Sequence, residues 1–190
     1  MARVRFPKIA VDRTPHGNAH GDMKPRVILI HSTEGHDRAG TSDVSGTLKY
    51  LEGTPDKLGV HFCIDAEGNI GKGGRCHAPG NLMYHAAGAN SLAIGIELVG
   101  YASFPLLSWI KRGRQLRALA WLVAWLSQEF DIPLHHSTSH GVAMHKDFPA
   151  GGHHDPGRFF PFTRVVRMAG WNVRRASQGK TYGWNTPLNV

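Results

Sequence analysis

The segment "RVILIHST", residues 26–33, follows Pro25 and contains four consecutive aliphatic side chains. A short apolar run bounded by proline and by polar residues predicts a buried β-strand, which here ends on His31. Taken alone, a histidine in this place is more often a hydrogen-bonded core residue than a metal ligand. Its role therefore depends on what the rest of the chain brings beside it.

Strand and helix patterns alternate along the chain. "GVHFCIDAEGNI" (59–70) predicts a strand, a turn at Glu67–Gly68 and the start of another strand, and "SLAIGIELVG" (91–100) predicts a further strand. Helices are predicted at "SDVSGTLKYLEG" (42–53, with Ser42 as the N-cap), "RQLRALAWLVAWLSQEF" (114–130) and "FTRVVRMAGWNVRRA" (162–176). This alternation predicts an α/β fold in which helices cover the faces of a sheet.

The length of 190 residues suits one sizeable hydrophobic core. We expect a single domain over residues 25–176, an N-terminal extension over 1–24 and a C-terminal tail over 177–190. The two cysteines, Cys63 in a predicted strand and Cys76 in a predicted loop, allow at most one disulfide. We expect both to be free and structural.

No stretch of the sequence predicts membrane insertion. The longest apolar run, "LAWLVAWL" at 119–126, is far shorter than the roughly 20 residues that span a bilayer. The N-terminus "MARVRFPKIAVDRT" lacks the apolar stretch of a secretory signal. We therefore expect synthesis in the cytoplasm without export by the Sec route.

The formal net charge of +8 predicts a polyanionic partner without identifying it. Nucleic acid, teichoic-type polymers and cell-wall surfaces all fit, and so does a merely soluble basic surface. The arginines of residues 112–117 and 164–175 are too scattered to form a nucleic-acid motif, so we expect no nucleic-acid partner.

The densest group of ligand-type side chains is "HKDFPAGGHHDPG", residues 145–157. Its prolines and glycines exclude a regular helix or strand, so any shared site requires a loop that folds back on itself. A catalytic zinc ion needs three His or carboxylate ligands and one open position, which His31, His145 and Asp155 would supply. His136 and His140, four residues apart, are a competing ligand pair.

The blocks "VILIHST", "GVHFCIDAEGNI", "YHAAGANSLAIGIELVG" and "HKDFPAGGHHDPG" resemble, in order and spacing, the zinc-dependent N-acetylmuramoyl-L-alanine amidases of the type-2 amidase and peptidoglycan-recognition-protein superfamily. Within it they are most similar to amidase modules of endolysins from phages of mycobacteria and related actinobacteria. The resemblance runs from about Val27 to Phe162. It implies a mixed sheet with helices on its faces.

The resemblance also implies roles for single residues. It places the zinc ligands at His31, His145 and Asp155, the proton-transfer group at Glu97 and an oxyanion-stabilising group at His153. It places His85, Asn90 and His61 along the substrate groove. The sequence departs from the pattern twice, with His153 where the family often has Lys or Thr, and with Val60 where many members have Tyr.

The activity implied is zinc-dependent hydrolysis of the amide between N-acetylmuramic acid and L-alanine in peptidoglycan, by a monomer with one Zn²⁺ per chain. As an endolysin, the protein would reach the anionic cell wall through a holin-type exit and lyse the host. Two other classes remain open at this point. One is a non-catalytic peptidoglycan-recognition module, and the other is a basic metal-dependent nuclease.

Overall fold

The computed structural model describes residues 2–14, 19–34, 43–150 and 152–180. Within these residues the chain forms one six-stranded sheet, four α-helices and a 3-10 turn. In chain order they are β1 (Val11–Asp12), β2 (Val27–Ser32), α1 (Val44–Glu52), β3 (Phe62–Ile64), β4 (Ile70–Lys72), β5 (Ala93–Leu98), α2 (Leu106–Lys111), α3 (Gly113–Glu129), β6 (Gly141–Met144), the turn (His145–Asp147) and α4 (Phe162–Ser177). The predicted α/β fold with a mixed sheet is confirmed.

The central strands of the sheet are parallel. The strand order is β1-β4-β3-β5-β2-β6, and only the hairpin of β3 and β4 is antiparallel. Strand β2 pairs in parallel with β5 on one side and with β6 on the other. This register sets His31 opposite Glu97 and Ile30 opposite Met144, so that His145 follows directly beyond the end of β6.

Successive side chains of β2 point to opposite faces of the sheet, one covered by α3 and α4 and the other carrying His31. Ile28 and Ile30 join the main core, which the apolar sides of α3 and α4 complete. Val27 and Leu29 point the opposite way and pack in a smaller cluster with Phe148. Because successive side chains of a strand alternate between faces, His31 shares the face of Val27 and Leu29, away from α3 and α4.

The predicted helices and strands occur close to their expected bounds. Helix α1 begins after Asp43, whose side chain accepts a hydrogen bond from Gly46 N at 2.7 Å. The predicted N-cap, Ser42, lies outside the described residues. Helix α2 and strand β6 were not predicted, because a six-residue helix and the four-residue segment "GVAM" are too short for a periodic pattern.

Residues expected to form an N-terminal extension contact the helical layer. Val4 N donates to Gln128 Oε1 at 2.7 Å, and the ring of Phe6 lies edge-on to Trp125, with 4.6 Å between ring centroids. Strand β1 adds to the edge of the sheet beside β4. The first residues of the chain thus pack on the core of the domain.

The two cysteines are free and buried, as predicted. Burial raises the pKa of the Cys63 thiol, and it raises that of Cys76 to about 12. Such thiols stay protonated at neutral pH and behave as small apolar side chains. Across the described part of the chain, we find no helix whose length and hydropathy would let it span a bilayer.

Gly157 fixes the end of the ligand-bearing loop. Its φ is +95°, and its N–H donates to His154 O at 2.9 Å. A Cβ at this position would lie 2.0 Å from the carbonyl oxygen of Ala102, in the segment after β5. Only glycine permits so close an approach, so this residue holds Asp155 at its distance from the sheet.

We expect Gly157→Ala to lower the free energy of unfolding by about 3 kcal/mol or more, since it combines left-handed strain with backbone overlap. Gly152→Ala is the matched control, because Gly152 has φ +65° but a Cβ added there would meet nothing within 4 Å. It should cost about 1 kcal/mol. Urea denaturation of both variants tests this, and equal losses would show that the contact with Ala102 is unimportant.

Candidate functional site

Three buried side chains converge at the carboxyl ends of β2 and β6. His31 is in β2, His145 opens the 3-10 turn, and Asp155 lies in the loop ten residues further on. The Nδ1 atoms of the two histidines are 3.0 Å apart. The Asp155 carboxylate lies 3.0 Å from His145 Nδ1 and 3.4 Å from His31 Nδ1. The loop therefore folds back, as the sequence predicted, and delivers two groups to the end of one strand.

These atoms have the spacing and chemistry of a metal site. Two imidazole nitrogens and a carboxylate are a common protein donor set for catalytic zinc, with Zn–N distances of about 2.0–2.1 Å. In a tetrahedral site such bonds leave ligand atoms about 3.3 Å apart. The separations of 3.0–3.4 Å among His31, His145 and Asp155 match this value. The three residues thus fit one divalent ion.

A hydrogen-bonded relay sets the tautomer of His31. The carbonyl of Ala93 can only accept, so His85 Nε2, 3.1 Å away, carries a proton and donates. His85 Nδ1 then accepts from His31 Nε2 at 3.1 Å. Burial lowers the pKa of both imidazoles, which keeps them neutral. His31 Nδ1 is therefore left with a free lone pair toward His145 and Asp155.

A glycine makes room for this relay. A Cβ on Gly95 of β5 would lie 2.8 Å from the ring of His85. Asn90 fixes the same loop, because its Oδ1 accepts from His85 N at 2.8 Å and from Ala86 N at 2.7 Å. Gly95 and Asn90 together seat His85 against His31.

The Asp155 carboxylate is held in its ionised form. Ser32 N donates to Asp155 Oδ2 at 3.3 Å. Burial opposes ionisation, but the adjacent imidazoles of His145 and His31 outweigh it and hold the pKa of Asp155 well below its ordinary value. An ionised carboxylate is the form that binds a cation.

Glu97 stands beside this group and is half-buried. It lies opposite His31 in the register of β5 and β2, and its Oε2 has no hydrogen-bond partner among the described residues. Burial, then the charges of Asp155 and Glu34, raise its pKa from 4.5 to about 8. A carboxyl group that titrates near neutral pH is suited to accept and return a proton.

His153 covers the cluster from the solvent side. Its ring stacks on that of His145, with 3.8 Å between centroids and 21° between planes, and its Nδ1 is 3.8 Å from Asp155 Oδ1. Its side chain is 44% exposed. It is thus placed to touch a ligand that reaches the three buried residues.

A family model described as N-acetylmuramoyl-L-alanine amidase matches residues 21–158. The chain belongs to this family. No curated protein shows significant sequence similarity to this amidase.

Solved structures share the fold of this amidase. An endolysin N-acetylmuramoyl-L-alanine amidase, LysCS from Clostridium intestinale, is 24% identical, with a TM-score of 0.61 over 90% of this chain and 99% of that one. A mutant endolysin from Bacillus subtilis is 23% identical, with a TM-score of 0.63 over 87% and 100%. The hydrolase AmiA of Staphylococcus aureus is 17% identical, with a TM-score of 0.65 over 95% and 89%. At these identities the likeness concerns the fold.

His61 of the amidase is placed differently from a groove residue. It is fully buried, its Nε2 donates to Asn81 O at 2.8 Å, and its Nδ1 accepts from Gly95 N at 3.0 Å. Burial lowers its pKa to about 4, so the ring is neutral and both nitrogens are used within the fold. For His61 we propose a structural role that supports β5 beneath His85.

The competing ligand pair lies outside the cluster. His136 Nε2 contacts Asp147 Oδ2 at 2.8 Å, and His140 Nε2 contacts Asp131 O at 3.2 Å. Both histidines are exposed. Among the described residues, the group of ligand-type side chains close enough to share an ion is His31, His145 and Asp155.

The sequence patterns did not single out Glu34. Its Oε1 accepts from Ser32 Oγ and from Ala102 N, both at 2.7 Å, and its charge contributes to the raised pKa of Glu97. Its position three residues after His31 is the signal that could have indicated it. Glu34 links the end of β2 to the segment after β5.

We expect Glu97→Gln to change how the stability of the chelated protein depends on pH. A carboxyl whose folded pKa of about 8 exceeds its ordinary 4.5 costs stability as pH rises from 4.5 to 8. Relative to the parent, the Gln variant should therefore gain about 2–3 kcal/mol between pH 5 and pH 7.5.

Urea denaturation in EDTA at several pH values measures this difference. Asp56→Asn, at an exposed turn, is the control and should show no such trend. A pH-independent gap between Glu97→Gln and the parent would mean that Glu97 ionises normally.

Proposed function

We propose that this protein is a zinc-dependent N-acetylmuramoyl-L-alanine amidase that hydrolyses the amide between the lactyl group of N-acetylmuramic acid and L-alanine of the stem peptide. The observation that carries the proposal is the convergence of His31, His145 and Asp155 beside the buried carboxyl of Glu97. It lies within the segment that matches the amidase family.

His31, His145 and Asp155 would hold the zinc ion. When bound, zinc acts as a Lewis acid toward the scissile carbonyl and acidifies a water molecule. The protein presents the His31 Nδ1 lone pair and the carboxylate already oriented, through His85 behind His31 and through Ser32 N at Asp155. Preorganised ligands of this kind bind metal with little reorganisation.

Glu97 would move the proton. Its carboxylate accepts a proton from the attacking water and returns it to the amine nitrogen as the amide bond breaks. The Oε2 atom of Glu97 is itself buried, which keeps bulk water from competing for that proton. The absence of a partner for Oε2 among the described residues leaves this atom available.

His153 would stabilise the oxyanion of the tetrahedral intermediate as an N–H donor. Its stacking on His145 fixes the plane of the ring, while its exposure leaves an edge accessible to substrate. His85 and Asn90 belong to the loop on the other side of His31. We propose that substrate lies between this loop and the loop of residues 145–157.

We propose that the activity serves an endolysin of phage origin. The chain carries a net charge of +8, which favours association with an anionic cell wall. In this role the protein would act on peptidoglycan as a monomer after release from the cytoplasm. Domain limits of 25–176, flanked by the extension and the tail, remain part of this proposal.

The two other classes are less well supported. Three side chains that could share a metal ion lie beside the carboxyl of Glu97, and a recognition module that binds peptidoglycan without cleaving it has no need of this combination. A metal-dependent nuclease is disfavoured by the match to the amidase family. Incubation with DNA and added zinc provides a direct check on the nuclease.

Metal dependence is tested on purified cell wall, with new N-terminal alanine as the product. EDTA should abolish product formation and zinc should restore it.

Asp155→Ala should lose the metal and the activity, because two imidazoles alone bind zinc weakly. His140→Ala is the matched control and should keep one zinc per chain by elemental analysis. Full zinc content in Asp155→Ala would show that the ligand set is wrong.

Glu97→Gln keeps the size of the side chain but removes the proton acceptor. We expect kcat to fall roughly 10²-fold or more, the usual scale for loss of a general base, with zinc content unchanged. Steady-state kinetics on a soluble muramoyl-peptide, with elemental analysis of the same preparation, measures both. Turnover near that of the parent would remove Glu97 from the mechanism.

His153→Ala should lower kcat by about 10²-fold and leave KM nearly unchanged, since the donor acts mainly in the transition state. His153→Lys should recover much of the loss and hold activity to higher pH, because lysine stays cationic where histidine does not. Profiles of kcat against pH for the three proteins test this. A parental kcat in His153→Ala would make His153 a bystander.

A further inference from the structure

A cavity of about 500 Å³ opens next to the ligand-bearing loop. Its walls come from two segments, the turn after β5 at Ala102 and Ser103, and the loop that carries the proposed zinc ligands. From the loop it takes Lys146, His154 and Arg158. The proposed catalytic steps do not use this cavity.

The charged groups of the cavity are cationic. No Asp or Glu is among its lining residues. Within the described residues, neither Lys146 nor Arg158 forms an ion pair, and the guanidinium of Arg158 rests on the exposed ring of Phe159 at 4.4 Å. Two cations that share a cavity repel each other, so an anion between them would be stabilised by both.

The cavity is fixed relative to the proposed metal centre. Lys146 directly follows His145, and its N–H donates to Asp155 O at 3.0 Å. His154 directly precedes Asp155, and Gly157 is pressed against Ala102. A group bound in the cavity thus contacts the same loop that carries His145 and Asp155.

We propose that this cavity is a carboxylate subsite of the amidase, in which Lys146 and Arg158 bind an acidic group of the stem peptide beside the amide that is cleaved. This inference rests on the proposed function. It makes Lys146 and Arg158 specificity-determining residues, because a stem peptide whose carboxyl groups are amidated loses the charge that they bind.

The substrate can supply the anion close to the scissile amide. Consecutive residues of an extended peptide advance by about 3.3–3.6 Å, so a carboxyl one or two residues beyond the scissile amide lies roughly 4–7 Å away. The walls of the cavity include the chain neighbours of His145 and Asp155, and we place such a carboxyl there. The aromatic ring of Phe159, 42% exposed, adds an apolar surface for the peptide stem.

The test compares two forms of L-alanyl-γ-D-glutamyl-L-lysine, one with free carboxyl groups and one with both converted to carboxamides. Because this peptide lacks the muramoyl amide, its binding does not depend on hydrolysis. Titration calorimetry on the zinc-loaded 190-residue chain should give a Kd roughly 5- to 10-fold lower for the acid form, the scale of charge-assisted contacts at a partly exposed site.

Lys146→Met and Arg158→Met should each reduce this preference, and the double variant should bring the ratio of Kd values to about one. Arg158→Lys restores the charge and should recover most of the preference, which separates charge from packing on Phe159. Arg164→Met, an exposed arginine of α4, is the matched control and should keep the parental ratio. Equal affinity of the parent for both peptides, or a preference that survives in the double variant, would overturn the proposal.

Inorganic phosphate distinguishes a peptide subsite from a general anion site. Phosphate that competes with the acid peptide and not with the amide supports the cavity as the site of discrimination. If phosphate binding depends on Lys146 and Arg158 but the parent binds both peptides with equal Kd, the proposed peptide subsite is overturned. The same peptide pair joined to N-acetylmuramic acid tests the amidase independently, since failure to release the peptide from either form refutes the proposed function and leaves the Kd ratio to decide the subsite.

Discussion

The parallel register of β2 with β5 and β6 is the constraint on which the site depends. It sets His31 opposite Glu97 and ends β6 one residue before His145. Because the side chains of a strand alternate between faces, a slip of one residue would turn His31 into the core beneath α3 and α4. Ile28 and Ile30 oppose that slip, since their burial in the main core fixes the register from the other face.

The candidate site lowers the free energy of unfolding of the domain that positions it. Glu97 is half-buried, and its buried Oε2 lacks a partner among the described residues; burial of polar groups without compensation costs free energy. The apolar layer between the sheet and the helices α3 and α4 offsets this cost. Function and stability are thus divided between the two faces of one sheet, with β2 contributing alternate residues to each.

The sequence predicted those parts of the molecule that depend on local patterns. β2, β5, α3 and α4 have periodicities that identify them, and the loop of residues 145–157 was expected to fold back because its prolines and glycines exclude regular structure. The residue types of His31, His145 and Asp155 suggested a shared zinc site, but His136 and His140 competed with them until the resemblance to a family assigned the ligands, since nothing local relates residues more than a hundred positions apart. The fold and the candidate site could be predicted together because the carboxyl end of β2, which carries His31, is part of both.

What could not be predicted depends on tertiary contacts. Strand β6 is four residues long and exists because β2 offers it an edge. His61 is indistinguishable in sequence from a groove residue, and only its bonds to Asn81 O and Gly95 N indicate a structural role. Lys146 and Arg158 are twelve positions apart in a chain rich in basic residues. Their shared cavity exists because Gly157 brings the loop against Ala102, so the contact that fixes Asp155 also creates a cationic wall beside it.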